Sequence, residues 1–295
     1  MQSPNPVARA GEVTVEVTRL SADGPLAATD RVVREDPLQV LVDSEPLGIL
    51  MRTPGADLEL ALGLLHSEQI IRSREEVAGV RLAPSGQGTL GTNELEVGLD
   101  PEAENLVDVR LRHPRRPGSS GWQRSLPSSS ACGICGAATL DAIRRTHRRV
   151  GGSATFDLRG LLRLPDLLKS SQQLFRTTGG LHAAGLLLPG SDELEVAEDV
   201  GRHNAVDKLV GRMLLADGLP LTDSCLVVSG RAGFEIVQKA AAAGISLVAS
   251  ISAPSSLAVE VANLTGVTLV GFLRPGGGNV YTHPERLTSR PGVLA

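Results

Sequence analysis

Two cysteines in the segment Cys132-Gly133-Ile134-Cys135 are the residues of this sequence best suited to covalent chemistry. The spacing brings the two thiols within reach of each other, and Gly133 and Gly136 allow the backbone to turn tightly around them. If a helix begins near Gly136, the positive end of its dipole lies beside the sulfur atoms. That position favours the thiolate, which is the nucleophilic form of cysteine.

Zinc binding, redox exchange and sulfur transfer are the kinds of chemistry open to such a pair. A structural zinc site normally needs four ligands, and the one other cysteine, Cys225, lies in an apolar run that predicts a buried strand and an inert thiol. A thioredoxin-like pair usually follows a strand of a βαβ unit, whereas this pair follows a segment rich in Pro, Ser and Gly. A persulfide carrier suits this placement best, because a cysteine on a mobile arm can visit both a donor and an acceptor. The spacing alone leaves redox exchange and sulfur transfer open.

Polar turns recur between apolar segments in the C-terminal half of the sequence, and all but the turn at residues 252–256 contain glycine or arginine. They occupy residues 177–182, 198–208, 229–233, 252–256 and 274–279. A capped helix, with Asn204 as the cap, would explain part of the second turn, but Arg202, His203 and Lys208 together exceed what capping requires. Ligands of open α/β sheets bind beyond the carboxyl ends of the strands, and helix N-termini there suit phosphate. We therefore expect a large phosphorylated ligand. No turn has the P-loop pattern, which argues against ATP hydrolysis by that motif.

The elements that must position these residues fall into two groups. In the N-terminal third, alternating polar and apolar residues predict strands at 12–20, 94–99 and 107–111, a hairpin over 38–51, and a helix with Asp57 as its N-cap. From residue 183 onward, strands and helices alternate, which predicts an α/β sandwich with a largely parallel sheet. We expect a β-rich N-terminal domain (1–112), a mobile linker or loop (113–131) and an α/β domain (132–295) that carries the cysteine pair.

The composition excludes several classes of protein. Aromatic residues make up 2% of the 295 residues and the formal net charge is -4, so neither a base-stacking surface nor a general attraction to nucleic acid is expected. No apolar stretch approaches the roughly 20 residues of a membrane span. The first residues do not resemble a secretory signal, and three cysteines are too few for a secreted disulfide scaffold. A cytoplasmic protein is expected.

The cysteine pair and the turns, taken together and in this order, resemble the formate dehydrogenase accessory sulfurtransferases, the FdhD/NarQ family. The motifs that carry the resemblance occupy residues 129–136, 178–182, 199–208 and 229–231. The resemblance implies a cytidine-deaminase-like α/β sandwich with a smaller N-terminal domain, working as a homodimer. A true zinc deaminase is excluded, because that chemistry needs H-x-E and this sequence has His182-Ala183-Ala184.

The same resemblance implies a route for sulfur. A cysteine desulfurase places a persulfide on the cysteine pair, with Cys132 as the expected carrier and Cys135 assisting. The sulfur then passes to Mo-bis(molybdopterin guanine dinucleotide), or its tungsten counterpart, which is bound as a substrate before it enters formate dehydrogenase. No permanently bound metal is expected. The competing hypothesis is a chaperone that holds this cofactor and uses its cysteines for redox sensing.

The residues predicted to bind the cofactor combine the polar turns with a C-terminal segment that the resemblance assigns to this role. They are Thr178, Gly179, His182, Arg202, His203, Asn204, Asp207, Lys208, Ser229, Gly230, Arg231, Phe272, Leu273, Arg274, Pro275, Gly276 and Gly277.

Overall fold

A computed structural model describes residues 11–82, 96–99, 105–113 and 149–289. Cys132 and Cys135 lie outside these ranges, as does all of the predicted linker except His113. We refer to residues 11–113 as the N-terminal part and to residues 149–289 as the C-terminal sandwich.

The N-terminal part contains a long hairpin and a five-stranded sheet. The hairpin joins β1 (Glu12–Ser21) to β2 (Gly24–Val33), of which β2 was not predicted. The sheet has the order β4-β3-β7-β5-β6. Its strands are β3 (Asp36–Val42), β4 (Glu45–Arg52), β5 (Val77–Leu82), β6 (Glu96–Leu99) and β7 (Leu106–Leu111). The leucines of α1 (Asp57–Ser67) pack with residues of β3, β5 and β7 in one buried cluster. The predicted strands and helix are confirmed, whereas β5 was not predicted.

The start of α1 differs from the prediction. Ala56, not Asp57, takes the N-cap position, in a left-handed conformation and without a side-chain cap. The carboxylate of Asp57 instead accepts hydrogen bonds from Nε and Nη2 of Arg52, both at 2.9 Å. Arg52 is 0% exposed and Asp57 is 2% exposed. The N-cap prediction is wrong because a buried arginine, five residues earlier, needs this carboxylate as its partner.

The C-terminal sandwich is built on a six-stranded sheet with the order β10-β9-β11-β12-β13-β14. Its strands are β9 (His182–Leu187), β10 (Leu194–Asp199), β11 (Cys225–Val228), β12 (Leu247–Ser250), β13 (Thr268–Arg274) and β14 (Gly277–Thr282). Two short strands, β8 (Phe156–Asp157) and β15 (Leu287–Thr288), pair separately. The helices are α2 (Leu158–Ser171), α3 (Phe175–Thr178), α4 (Arg202–Leu215), α5 (Phe234–Ala242) and α6 (Ser256–Thr265).

The helices cover both faces of this sheet. Residues of α4, α5 and α6 pack with one set of strand residues, such as Leu226 and Val248. Residues of α2 pack with the alternate set, such as Val227 and Leu247. This arrangement confirms the predicted α/β sandwich with a smaller β-rich part before it. In the described ranges, no helix combines the length and apolar character that crossing a membrane requires.

The sheet is mixed, and the prediction of a largely parallel sheet is wrong. Only the pairs β11/β12 and β12/β13 are parallel, whereas β9/β10, β9/β11 and β13/β14 are antiparallel. The connection from β9 to β10 spans residues 188–193. Such a connection is too short for the crossover of a dozen or more residues that parallel neighbours need.

Candidate functional site

The polar turns meet along one edge of the six-stranded sheet, as predicted. Because β9 runs antiparallel to β10 and β11, its first residue, His182, lies opposite Asp199 at the end of β10. The turns that follow β11 and β12 are linked by a bridge between Ala232 and Pro254. We call this edge, from the start of β9 to the end of β13, the binding edge.

Among the elements that the structure describes, three helices begin at the binding edge. Ser255 caps α6, since its hydroxyl accepts from the backbone N of Ala258 at 3.2 Å. The N-caps of α4 and α5 are Gly201 and Gly233, and neither helix has a side-chain cap. Uncapped helix N-termini present backbone NH groups and the positive end of a dipole to an anion.

His182 lies against the turn that follows β11. A Cβ atom on Gly230 would come 3.2 Å from Nδ1 of His182, so the glycine makes room for the imidazole ring. Beside it, the backbone N of Ala183 donates to Oγ of Ser229 at 2.9 Å. Burial lowers the pKa of His182 from its ordinary value, and the charges of Arg202 and His203 lower it further. His182 is therefore a neutral imidazole at pH 7, held close to a cationic group.

Arg202 and His203 are the first two residues of α4. Nε2 of His203 lies 2.7 Å from Oε2 of Glu235 on α5. The hydrogen bond from His203 lowers the pKa of Glu235 against the opposing effect of burial. Among the described residues, the buried Nε of Arg202 has no hydrogen-bond partner. Arg202 is thus the cation in this helix turn that is best placed to meet an anionic ligand.

The remaining charged residues of the same motif are buried and paired. Lys208 lies 2.7 Å from Asp199 through its Nζ and donates to the backbone carbonyl of Thr53 at 2.9 Å. Asn204 donates to Asp199 at 2.9 Å and to the backbone carbonyl of Met51 at 2.8 Å. These contacts join the C-terminal sandwich to the N-terminal part.

Asp207 belongs to the same junction. Its carboxylate accepts from Nζ of Lys239 at 2.7 and 2.8 Å and from Oγ of Ser67 on α1 at 2.8 Å. The structure therefore gives Asn204, Asp207 and Lys208 a role in holding the two parts together. Direct contact of these three side chains with a cofactor stays a prediction, without support from their geometry.

Ser250 connects two turns of the binding edge. Its hydroxyl lies 2.8 Å from the carbonyl oxygen of Gly230 and 2.9 Å from that of Ser252. Arg231, the next residue of the first turn, is exposed. The linked turns therefore form a fixed base on which Arg231 is presented to solvent.

The C-terminal segment predicted to bind the cofactor is the tip of the β13–β14 hairpin. Phe272 is 46% exposed and has a φ of 54°, which is unusual for a bulky residue. Arg274 donates through Nη1 to the backbone carbonyls of Ile251 and Leu273, and Pro275 and Gly276 are exposed. Leu273 is 1% exposed and belongs to the core beneath the sheet, which excludes a side-chain contact with a ligand.

Thr178 and Gly179 stand where α3 ends, close in sequence to His182. Oγ1 of Thr178 donates to the carbonyl of Leu174 at 2.9 Å, and Gly179 closes the helix with a φ of 66°. A Cβ atom on the next residue, Gly180, would come 3.1 Å from Val33, so this segment runs against β2.

Cys225 is an inert, packed thiol, as predicted. It is 0% exposed, and burial raises the pKa of its thiol far above the ordinary value. Within the described ranges, no group of three or more His, Cys, Asp and Glu side chains is placed to hold a metal ion. The roles predicted for Cys132 and Cys135 stay predictions.

The solved structures include one of the same fold. A crystal structure described as that of a candidate formate dehydrogenase accessory protein from Desulfotalea psychrophila aligns with a TM-score of 0.71. The alignment covers 94% of this chain and 100% of the other, at 23% sequence identity. At that identity the likeness establishes the fold, an α/β sandwich with a smaller N-terminal part.

The sequences of relatives define the family. The model of the FdhD/NarQ family matches residues 33–288. The chain is 42% identical to the sulfur carrier protein FdhD of Streptomyces coelicolor, over 94% of this chain and 96% of that protein. Identity to the proteins of the same name from Mycobacterium tuberculosis and Sulfolobus acidocaldarius is 41% and 40%, each over 92% of this chain and 97% of the relative. The chain belongs to the FdhD/NarQ family, which confirms the resemblance carried by its motifs.

Proposed function

We propose that this protein is a sulfur carrier that serves the maturation of formate dehydrogenase. It takes persulfide sulfur from a cysteine desulfurase and passes it to the molybdenum or tungsten bis(molybdopterin guanine dinucleotide) cofactor, acting as a homodimer. The observation that carries the proposal is the match, over 94% of the chain, to a relative named as a sulfur carrier protein. Cys132 and Cys135 supply the thiols that such a role needs.

The loading step is a thiol exchange. The thiolate of Cys132 attacks the outer sulfur of the persulfide on the donor enzyme, a new S–S bond forms, and the S–S bond of the donor breaks. The donor cysteine leaves as a thiolate and takes up a proton, so the step needs no external oxidant or reductant. Cys225 takes no part, because its buried thiol is kept protonated.

The binding edge supports the second half of the proposal, in which the cofactor is bound as a substrate. Its guanine dinucleotide groups carry diphosphates, and the edge offers the N-termini of α4 and α5 beside Arg202 and Arg231. A phosphate oxygen near Nε of Arg202 would give that buried group the partner that it lacks among the described residues. Arg274 extends the cationic surface toward the hairpin tip.

Sulfur loading is tested by mass spectrometry. The protein is incubated with a cysteine desulfurase and cysteine, and bound sulfane sulfur is then located by peptide mapping. The wild type and Cys225→Ala should gain sulfur on the cysteine pair, whereas Cys132→Ala should not support formate dehydrogenase maturation. Absence of sulfur on the wild type, or full maturation with Cys132→Ala, would rule out the carrier role.

Ligand binding is tested by calorimetry with GDP, without added metal. Arg202→Ala, Arg231→Ala and Arg274→Ala should each weaken binding by about 1–3 kcal/mol, the scale of a hydrogen bond to a charged group. Glu260→Ala, which removes an exposed side chain on α6, is the control. Equal affinity in all variants would show that the ligand binds elsewhere. GDP binding without any sulfur loading would instead favour a cofactor-binding chaperone with redox-sensing cysteines.

A further inference from the structure

Thr53 lies in the turn between β4 and α1 of the N-terminal part, yet its polar groups are hydrogen-bonded to the C-terminal sandwich. Its backbone N donates to Oδ2 of Asp199 at 3.2 Å, and its Oγ1 accepts from the backbone N of Val200 at 3.1 Å. Its carbonyl oxygen accepts from Nζ of Lys208 at 2.9 Å. Thr53 is 1% exposed, so these hydrogen bonds are shielded from water.

The partners of Thr53 lead directly into the first turn of α4. Asp199 and Val200 precede the N-cap Gly201, and the backbone N of Gly201 donates to Oδ1 of Asp199 at 2.8 Å. A Cβ atom on Gly201 would come 2.8 Å from Nδ2 of Asn204, so a side chain at this position would displace the amide that donates to Asp199 and Met51. The loop that presents Arg202 is therefore fixed from one side by its own side chains and from the other by Thr53.

The contacts around Thr53 also determine which of the neighbouring charged side chains can reach a ligand. Asp199 is 0% exposed and is neutralised by Lys208 at 2.7 Å. Asp199 and Lys208 thus pair with each other at the junction of the two parts, and the carboxylate of Asp199 is not free to bind Arg202. The side chain of Arg202 lies at the binding edge, where its Cδ is 3.6 Å from the position of a Cβ atom on Gly230, and its Nε lacks a partner among the described residues.

We propose that Thr53 is a positioning residue for the anion site at the binding edge. Its hydroxyl holds the loop of residues 199–201, and through it the Arg202 guanidinium and the N-terminal NH groups of α4, in the arrangement that receives a diphosphate. Ligand affinity in the C-terminal sandwich thus depends on a residue of the N-terminal part. This inference rests on the function proposed above, because it assumes that a diphosphate binds at this edge.

The test compares variants of the full-length protein at position 53. Thr53→Val keeps the shape of the side chain but leaves the backbone N of Val200, which is half-buried, without its partner. We expect it to bind GDP and inorganic pyrophosphate roughly tenfold more weakly than the wild type, the scale of one such hydrogen bond. Thr53→Ser retains the hydroxyl and should bind within about twofold of the wild type. If Thr53→Val does not fold, Thr53→Ala replaces it with the same expectation.

Ser67→Ala is the matched control. Oγ of Ser67 also joins the two parts, by donating to Asp207 at 2.8 Å, but its partner lies in the second turn of α4, away from the loop. Ser67→Ala should lower Tm about as much as Thr53→Val and leave the affinity for both probes unchanged.

The outcomes separate the inference from the function on which it rests. Unchanged affinity in Thr53→Val, with a lowered Tm, would make Thr53 purely structural and overturn the inference. An equal loss of affinity in Ser67→Ala would also overturn it, because general loosening of the junction would then explain the effect. If the wild type binds neither GDP nor inorganic pyrophosphate, the proposed binding edge itself is overturned.

Discussion

Gly63 of α1 and Gly211 of α4 form a reciprocal contact between the N-terminal part and the C-terminal sandwich. A Cβ atom on Gly63 would lie 1.8 Å from the carbonyl oxygen of Asp207, and one on Gly211 would lie 1.8 Å from that of Glu59. Both distances are far below the 3.0 Å that real Cβ atoms keep from such neighbours. The two helix backbones therefore touch, and each helix needs a glycine at the crossing.

Replacing either glycine with alanine should destabilise the protein. Because the atoms met are backbone, they cannot move aside, and the overpacking should cost at least about 1–3 kcal/mol in the free energy of unfolding. Urea denaturation measures this change. Gly151→Ala is the control, since nothing lies within 4 Å of a Cβ at that position. Equal denaturation midpoints for Gly63→Ala, Gly211→Ala and Gly151→Ala would contradict the close crossing.

The buried ion pair before α1 gives a second prediction. Asp57→Ala removes the carboxylate that accepts two hydrogen bonds from the fully buried Arg52 guanidinium and leaves that of Asp36, 4.0 Å away, as the nearest other carboxylate. The loss should cost about 3–5 kcal/mol of stability. The control removes a comparable pair at the surface, where Arg212 and Glu195 lie 3.2 Å apart with side chains 35% and 50% exposed. Glu195→Ala should cost no more than about 1 kcal/mol. Similar losses in thermal or urea unfolding for both variants would show that burial does not strengthen the Arg52–Asp57 pair.

Local sequence signals predicted most elements of the fold. The hairpin of β3 and β4 was predicted from its turn, and Asp43 and Ser44 have the positive φ values, 50° and 66°, that such two-residue turns require. The direction of β9 and the partner of Asp57 were predicted wrongly, because each depends on pairing with other elements rather than on periodicity. A polar residue in a turn has the same appearance in sequence whether its partner is water or a buried arginine.

The dependence on distant partners also explains which residues of the candidate site could be predicted from the sequence and which could not. His182, Arg202 and Arg231 are predicted as site residues because glycines and charges cluster at strand ends. Thr53 was missed, since its partner Asp199 lies 146 residues away and nothing in the turn sequence distinguishes it from an exposed threonine. Lys208 was predicted as a ligand contact because its buried partner could not be known from the sequence.

Glu68 should make the stability of the protein depend on pH. Burial raises the pKa of Glu68, Lys239 opposes this effect, and the carboxylates of Asp207 and Glu235 raise the pKa further. With a raised pKa in the folded state, the protonated form is favoured by folding. Its stabilising contribution is therefore present below the ordinary pKa and lost as the pH rises through the raised value. Glu68→Gln should have a higher Tm than the wild type at about pH 8, and this difference should vanish near about pH 4.

Glu285→Gln is the control with the opposite sign. A hydrogen bond from its own backbone lowers the pKa of Glu285, burial opposes this effect, and a hydrogen bond from His283 with the charges of His283 and Arg286 lowers the pKa further. Its charged form is favoured by folding, so the glutamine variant should have a lower Tm at neutral pH and approach the wild type in acid. A Glu68→Gln variant that is less stable than the wild type at about pH 8 would contradict the prediction.

His182 should make ligand binding depend on pH. The pKa of His182 is lowered by burial and by Arg202 and His203, so the ring gains its charge only when the pH falls below its ordinary titration range. A charged imidazole beside Arg202 would then add attraction for a diphosphate. We expect the ratio of GDP affinities, wild type over His182→Gln, to rise as the pH is lowered from 7 to about 5. Comparing the two proteins at each pH cancels the titration of GDP itself. A constant ratio would place His182 out of reach of the ligand.

Because Cys225 is buried, thiol-directed labels do not react with it in the native protein. A maleimide or iodoacetamide requires an accessible thiolate, and Cys225 has neither access to solvent nor a thiol that ionises near neutral pH. Any modification of the folded chain therefore reports on Cys132 and Cys135, the other two cysteines of the sequence. The third cysteine therefore need not be removed by mutation before a thiol-directed fluorophore or spin label is used.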